Sequence, residues 1–145
     1  MSDSTRFLPF VGRVLVGGIF LISGLAKIPA YAATSAAITA AGLPFAPLGF
    51  AVALVVEIGL GLLLVLGYRT RAVALGLAIW CLVTAVFFHH NFADQNVMIH
   101  FLKNLMIAGG LLQIVHFGAG AVSLDTRRAQ KGSNVDRSQS VGANS

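Results

Sequence analysis

Charged residues are scarce in this sequence. Lys, Arg, Asp and Glu make up 10% of its 145 residues, against about a quarter in an ordinary water-soluble domain. Hydrophobic residues make up 57%, and the mean hydropathy is +0.83. This composition excludes an ordinary water-soluble fold, and the length leaves no room for a separate soluble domain beside the apolar segments.

Cysteine is nearly absent as well. Cys81 is the single cysteine, which excludes an intrachain disulfide and a CxxC redox pair. The sequence also lacks a Walker loop, a GxGxxG motif after a strand, HExxH and GxSxG, so nucleotide hydrolysis, dinucleotide binding and the common hydrolase reactions have no support. The ten Lys and Arg are scattered around apolar segments and do not line one polar face, which argues against nucleic acid as a partner.

Long apolar runs are what the sequence does have. Four of them, at about residues 7–28, 44–67, 72–90 and 98–117, are each predicted to cross a hydrocarbon core of about 30 Å as a helix. The predicted fold is an all-α, polytopic, four-helix transmembrane bundle over residues 1–125, followed by a basic tail, 126–145, expected to be disordered. The uncharged stretch from Pro29 to Gly42 is expected to be a loop with room for a short interfacial helix.

The distribution of Lys and Arg predicts the orientation. Eight of them fall on one side of the four spans and two, Lys27 and Lys103, on the other. By the positive-inside rule, both termini are expected in the cytoplasm, in a bacterial inner (cytoplasmic) membrane. A cleaved signal peptide is the alternative for the first segment, but its length and the directly following Lys27 disfavour it.

Ionisable residues inside the spans are the first functional candidates, because an unpaired charge in lipid costs several kcal/mol. Arg13 and Glu57 are predicted to form an intramembrane ion pair between the first two helices. Such a pair can fix packing alone or serve catalysis or transport, and the sequence does not choose between these roles. Lys27 ends the first helix and is interpreted as a side chain that reaches out to the interface, with a nearby anion or carboxylate partner as the alternative.

A second group of candidates lies at the outer ends of the third and fourth spans. The catalytic candidates are Lys103, Asn104 and His100, and the ligand-binding candidates are His89, His90 and Phe101. Imidazole, amine and amide groups beside aromatic rings suit hydrogen bonding to a quinone head group and proton transfer to it. The same residues also suit a hydrated aromatic belt at the membrane interface, and no metal site is predicted.

Three stretches carry a resemblance to a known family. Arg13 with FLISGLAK from Phe20 to Lys27, EIGLGLLLVLGYRTR from Glu57 to Arg71, and HFLKNLMIAGGLL from His100 to Leu112 resemble the DoxX family, as does the ending Ser123 to Asp125. The resemblance implies a four-helix integral membrane protein. It also implies a link to membrane redox systems, since some relatives are named as the quinone-facing subunit of a thiosulfate:quinone oxidoreductase.

The leading functional hypothesis is an accessory subunit of a quinone-linked membrane redox system, with electrons supplied by a soluble or membrane partner protein. Whether the chain turns over a substrate is open; if it does, it is the membrane subunit of a quinone-linked oxidoreductase. No covalently bound cofactor is expected, and a quinone is the expected ligand. The expected surroundings are the lipid bilayer, a redox partner and further copies of the chain. The alternatives are a noncatalytic scaffold for soluble enzymes and a small-solute transporter using Arg13 and Glu57.

Overall fold

Long helices account for most of the chain. The computed structural model describes the backbone of residues 3–89 and 92–142. It describes the side chains of residues 6–89 and 92–133. The helices are α1 (Asp3–Lys27), α2 (Tyr31–Ala40), α3 (Ala46–Leu54), a π-helical segment (Val55–Leu60), α4 (Gly61–Leu66), α5 (Thr70–Phe88), α6 (Gln95–Phe117) and α7 (Leu124–Gly142). The described residues contain no strand, which confirms the predicted all-α fold.

Four helical stretches among the described residues are long and apolar enough to span a membrane. They cover Arg6–Lys27, Ala46–Leu66, Thr70–Phe88 and Gln95–Phe117, so the four predicted spans are confirmed within a few residues at each end. The second span is built from α3, the π-helical segment and α4 in direct succession. We call the end of the bundle that holds α2 and His89 the α2 end, and the opposite end the α7 end.

Local signals explain where the spans stop and start. Gly67 ends α4 and Gly118 ends α6, both with positive φ angles, 69° and 83°, that favour glycine. Asp94 caps the start of α6, because its carboxylate accepts a hydrogen bond from the backbone N–H of Asn96 at 2.8 Å. The turn from Gly67 to Arg69 is short, so α4 and α5 are antiparallel neighbours.

The first span is displaced along the bundle relative to the second. A Cβ atom built on Gly24 would lie 3.1 Å from Cβ of Glu57, and one built on Gly17 would lie 2.8 Å from the carbonyl oxygen of Gly61. Arg13 therefore lies level with the α7 end of α4, and Lys27 lies beside the middle of the second span. The start of α1 extends beyond α4, and α2 occupies the space left at the other end.

Helix α2 confirms that the stretch between the first two spans can hold a short helix. It packs on α3, where the rings of Tyr31 and Phe50 meet edge to face with centroids 4.8 Å apart. Ile38 is its buried anchor, 4% exposed. No charged residue occurs between Lys27 and Glu57, so both α2 and α3 can lie at membrane depth without an ionic cost.

The core lies where α1, α4, α5 and α6 meet. Leu64, Leu77 and Leu111 are fully buried there, and α5 contributes more buried residues than any other described helix. Large apolar side chains also cover the outside, such as Ile22 and Val55, each 70% exposed. An apolar exterior around a small packed core is what a lipid-facing bundle requires.

The polar tail continues from the fourth span as a helix in the described residues. Helix α7 runs from Leu124 to Gly142. Its start is capped by Ser123, whose hydroxyl accepts a hydrogen bond from the backbone N–H of Thr126 at 3.1 Å. Residues 127–133 are all exposed, so local capping and not burial gives this polar segment its helical start.

Candidate functional site

Glu57 is a buried carboxylate in the middle of the second span. Its side chain is 7% exposed and forms an ion pair with Lys27, with Nζ and Oε2 2.6 Å apart. The indole Nε1–H of Trp80 donates to Oε1 of Glu57 at 3.3 Å, and Nζ of Lys27 also donates to the hydroxyl of Ser23 at 2.8 Å. We call these four residues the mid-span cluster. Its charges compensate one another, which lowers the cost of placing them at this depth.

The backbone at Glu57 is unusual as well. The residue lies in the π-helical segment Val55–Leu60, and a π-helical turn inserted into an α-helix is frequently found at functional sites. The wider turn lies against Gly24 of α1, which has no side chain to hold the two helices apart. The local backbone and the glycine together place Glu57 within reach of Lys27.

The predicted ion pair between Arg13 and Glu57 is wrong. The guanidinium of Arg13 donates instead to the carbonyl oxygens of Leu64, at 3.1 Å, and of Val65, at 3.2 Å. Leu64 lies seven residues after Glu57, about 10 Å along the helix axis. The prediction failed because it assumed that the start of the first span lies level with the end of the second, whereas α1 is displaced toward the α7 end.

The interpretation of Lys27 as a side chain that reaches out to the interface is also wrong. Because α1 is displaced, Lys27 ends up level with mid-span and not at the membrane surface. Its side chain is 27% exposed and bonded to Glu57 and Ser23. At helical spacing, Gly17, Gly24 and Lys27 lie on one face of α1, and Gly17 and Gly24 on that face contact the second span.

Arg13 is a buried cation at the α7 end whose contacts hold helices together. It is 1% exposed, and besides Leu64 and Val65 it donates to the carbonyl oxygen of Val122. The carbonyl groups of Leu64 and Val65 lie in the last turn of α4, and a cation is favourable at a helix carboxyl end. Arg13 thus ties α1 to α4 and to the segment before α7.

A cavity of about 780 Å³ extends from the mid-span cluster toward the α2 end. Its walls come from α1, α2, α3, the π-helical segment, α5 and α6, and most of them are apolar. The polar residues that line it are Ser23, Lys27, Thr34, Glu57, Trp80, Cys81, Thr84, His89 and Asn104. Leu48 and Phe87, which also line it, are 64% and 42% exposed, so the cavity is open.

Besides Glu57, the structure brings two of the predicted site residues to this cavity. His89 and Asn104 line it. His100 stacks on His89, with ring centroids 5.2 Å apart, but is itself exposed. Burial, followed by the nearby His100, lowers the pKa of His89 below its ordinary value.

The remaining predicted residues lie apart from the cavity. Lys103 is exposed and does not line it. Phe101 is half-buried and meets Phe92 edge to face with centroids 5.1 Å apart. His90 lies outside the described residues. Within the described ranges, no three His, Cys, Asp or Glu side chains are grouped as a metal site would require.

Sequence reasoning missed Ser23, Lys27, Trp80 and Thr84 as members of the site. The sequence holds one signal for them: Trp80 is the single tryptophan and falls in the apolar third span beside Cys81. A buried indole N–H needs an acceptor, and Glu57 is the only carboxylate within the four spans. By that argument, the contact between Trp80 and Glu57 was predictable from the sequence alone.

A second group of polar contacts, centred on Asp125, lies at the α7 end. The carboxylate of Asp125 accepts hydrogen bonds from the backbone N–H groups of Arg69, at 2.8 Å, and Thr70, at 2.9 Å. Burial opposes ionisation, but the hydrogen bonds from Thr70 and Arg69 and the charge of Arg128 hold the pKa of Asp125 below its ordinary value. Asp125 therefore caps α5 from a distant part of the chain.

Comparisons with known proteins agree with this architecture. The DoxX family profile matches residues 8–90. The chain is 41% identical over 117 residues to the inner membrane protein YqjF of Escherichia coli K12, covering 79% of this chain and 87% of that protein. It is 36% identical over 125 residues to the inner membrane protein YphA of the same organism, covering 83% and 89%. No solved structure is significantly similar to the chain. The chain therefore belongs to the DoxX family and is an integral membrane protein.

Proposed function

We propose that this protein is the membrane subunit of a quinone-linked redox system and that its cavity binds the quinone head group. The observation that carries the proposal is the ion pair of Lys27 and Glu57 at the wall of an open, mostly apolar cavity. The proposal moves the predicted ligand contact from Lys103, which is exposed, to Lys27.

The size and lining of the cavity suit such a ligand. Its volume of about 780 Å³ lies within the roughly 300–1,000 Å³ of small-molecule sites. Apolar walls with a few convergent donors match a ring with two carbonyl oxygens and a hydrocarbon tail. The exposed lining residues Leu48 and Phe87 leave an opening through which an amphiphile can enter.

Each polar residue has a distinct task in this proposal. Lys27 donates a hydrogen bond to a carbonyl oxygen, and Glu57 orients the ammonium group of Lys27. Asn104 and His89 are placed to contact the far side of the ring. A bound quinone supplies two-electron, two-proton redox chemistry, and a partner protein supplies the electrons, because a chain with one cysteine has no ligand set for an iron–sulfur cluster.

Trp80 allows a direct binding test, because it is the single tryptophan and lines the cavity. We expect a short-chain benzoquinone to quench Trp80 fluorescence saturably in detergent-purified protein. Lys27→Met should weaken binding by about 10- to 100-fold, the worth of one hydrogen bond to a charged group. Asn104→Leu, which disturbs no ion pair, should weaken it by a smaller factor.

Lys103→Met is the matched control, since Lys103 is an exposed lysine outside the cavity lining. It should bind the benzoquinone as the wild type does. Quenching that rises linearly with concentration, or that is equal in the Lys27 and Lys103 variants, would show only partition into the micelle and would refute the proposal.

The two alternatives fare differently. A transporter in which Arg13 and Glu57 act on the same solute has no support, because Arg13 is bonded to carbonyl oxygens at the α7 end. A scaffold gains one observation: α7 presents Arg127, Arg128 and Lys131 on an exposed helix. Soluble proteins that copurify with a preparation showing no saturable quenching would favour the scaffold.

A further inference from the structure

The cavity and the core divide the bundle into two unlike halves. From Glu57 toward the α2 end, the cavity wall carries the polar side chains of Thr84, Asn104 and His89. From Glu57 toward the α7 end, the bundle is filled by Phe20, Leu64, Leu77 and Leu111. Phe20 is 7% exposed, and the three leucines are fully buried.

This asymmetry matters for protons. Water can occupy the part of this open, mostly apolar cavity of about 780 Å³ that runs along its polar side chains, and hydrogen-bonded water conducts protons to any ionisable group that it reaches. A close-packed core of aliphatic side chains holds no such water. Beyond that core, the guanidinium of Arg13 adds a fixed positive charge, which repels protons from the α7 end.

We propose that the Lys27–Glu57 pair exchanges protons with the aqueous compartment at the α2 end alone, through the cavity lined by Thr84, His89 and Asn104. In this exchange a proton from cavity water adds to a carboxylate oxygen of Glu57. The ionic contact with Nζ of Lys27 is lost, and Trp80 Nε1–H then faces a neutral carboxyl group. The inference rests on the proposed function in one respect, that the proton is taken up by the reduced quinone. It goes further by naming the side of the membrane from which the proton comes.

Few ionisable groups line the cavity among the described residues. Besides the pair itself, Lys27 from α1 and Glu57 from the π-helical segment, they are Cys81 and His89 from α5. Helices α2, α3 and α6 contribute no ionisable residue to the lining, and His100 reaches the cavity region only by stacking on His89. Glu57 is the one carboxylate in the lining, so a carboxylate protonation there is attributable to it.

The experiment uses Trp80 as the reporter and needs no quinone. The full-length protein is reconstituted into liposomes, and vesicles with one orientation are selected by a tag at the C-terminus. The pH is then jumped on one side at a time while the other side stays buffered. We expect Trp80 emission to follow the pH at the α2 end within the mixing time. A jump at the α7 end should act only after an ionophore equalises the two sides.

Two pairs of variants assign the response. Glu57→Gln should abolish the fast change in emission, and His116→Gln, near the α7 end of α6, should keep it. Ala37→Phe places a ring at the cavity wall and should slow the response by at least about tenfold. Ala36→Phe changes the neighbouring exposed residue of α2, which lies outside the lining, and should leave the rate of the response unchanged. The alanine pair keeps the test decisive if Glu57→Gln does not fold.

Equal responses to jumps on both sides would overturn the inference, as would an emission that changes with neither. Because no ligand is present, these outcomes are independent of whether a benzoquinone quenches Trp80. A protein that shows one-sided pH response without quinone binding would retain this inference and lose the proposed function.

Discussion

The two cationic side chains on one face of α1, Arg13 and Lys27, bind different kinds of acceptor. Arg13 donates to backbone carbonyl oxygens where α4 ends, and Lys27 pairs with the carboxylate of Glu57. A guanidinium offers five donors in a rigid fork, which suits several carbonyl groups at once, whereas a compact ammonium suits a single carboxylate. The residue type at each position thus matches the chemistry that the neighbouring helix presents there.

Asp125 gives a pH-dependent test at the residue scale. Asp125→Ala should lower the free energy of unfolding by about 1 kcal/mol at neutral pH, because it removes the cap on the first N–H groups of α5. The measurement is the thermal unfolding midpoint in detergent. Asp94→Ala, which removes a cap within its own turn, is a comparison for the effect of a local cap.

The sign of the pH dependence follows from the direction of the shift. The pKa of Asp125 is lower in the folded protein than its ordinary value of about 3.9. Its stabilisation is therefore fully present above that ordinary value and is lost as the pH falls through the folded-state pKa. The difference between wild type and Asp125→Ala should shrink on acidification; a difference that grows would contradict the assignment.

At the scale of helices, two adjacent glycines of α1 have different surroundings. A Cβ on Gly17 would lie 2.8 Å from the carbonyl oxygen of Gly61, whereas one on Gly18 would have nothing within 4 Å. Backbone atoms cannot rotate away, so any side chain at position 17 must push α1 and α4 apart.

Gly17→Ala is therefore expected to destabilise the protein by about 1–3 kcal/mol. Gly18→Ala should be neutral or stabilise it by up to about 1 kcal/mol, since alanine favours a helix over glycine. Unfolding midpoints in the same detergent compare the two variants directly. Equal effects at both positions would mean that the close contact of α1 with α4 is absent in the membrane.

At the scale of the whole molecule, an even number of spans places both chain ends on one side of the membrane. The excess of Lys and Arg at the α7 end predicts that this side is the cytoplasm. We expect a fluorescent protein fused after Ser145 to fluoresce and a periplasmic phosphatase inserted near residue 93 to be active. The reverse pattern would invert the orientation and would move the proposed proton entry to the cytoplasmic side.

Composition and hydropathy by themselves determined the membrane class, the all-α fold and the four spans. They could do so because lipid requires about 20 apolar residues in each helical crossing, whatever the helices pack against. The sequence also left room for a short helix after the first span, and the positions of its ionisable and polar residues made Glu57, His89 and Asn104 candidate site residues.

Only the tertiary structure decided which of these residues meet. Charge pairing between helices depends on their displacement along the bundle, and hydropathy leaves that displacement open by several residues. Here the close contacts at Gly17 and Gly24 set it, and so Lys27, not Arg13, reaches Glu57. The sequence alone determined that charges lie in the membrane, and the packing of small residues determined their partners.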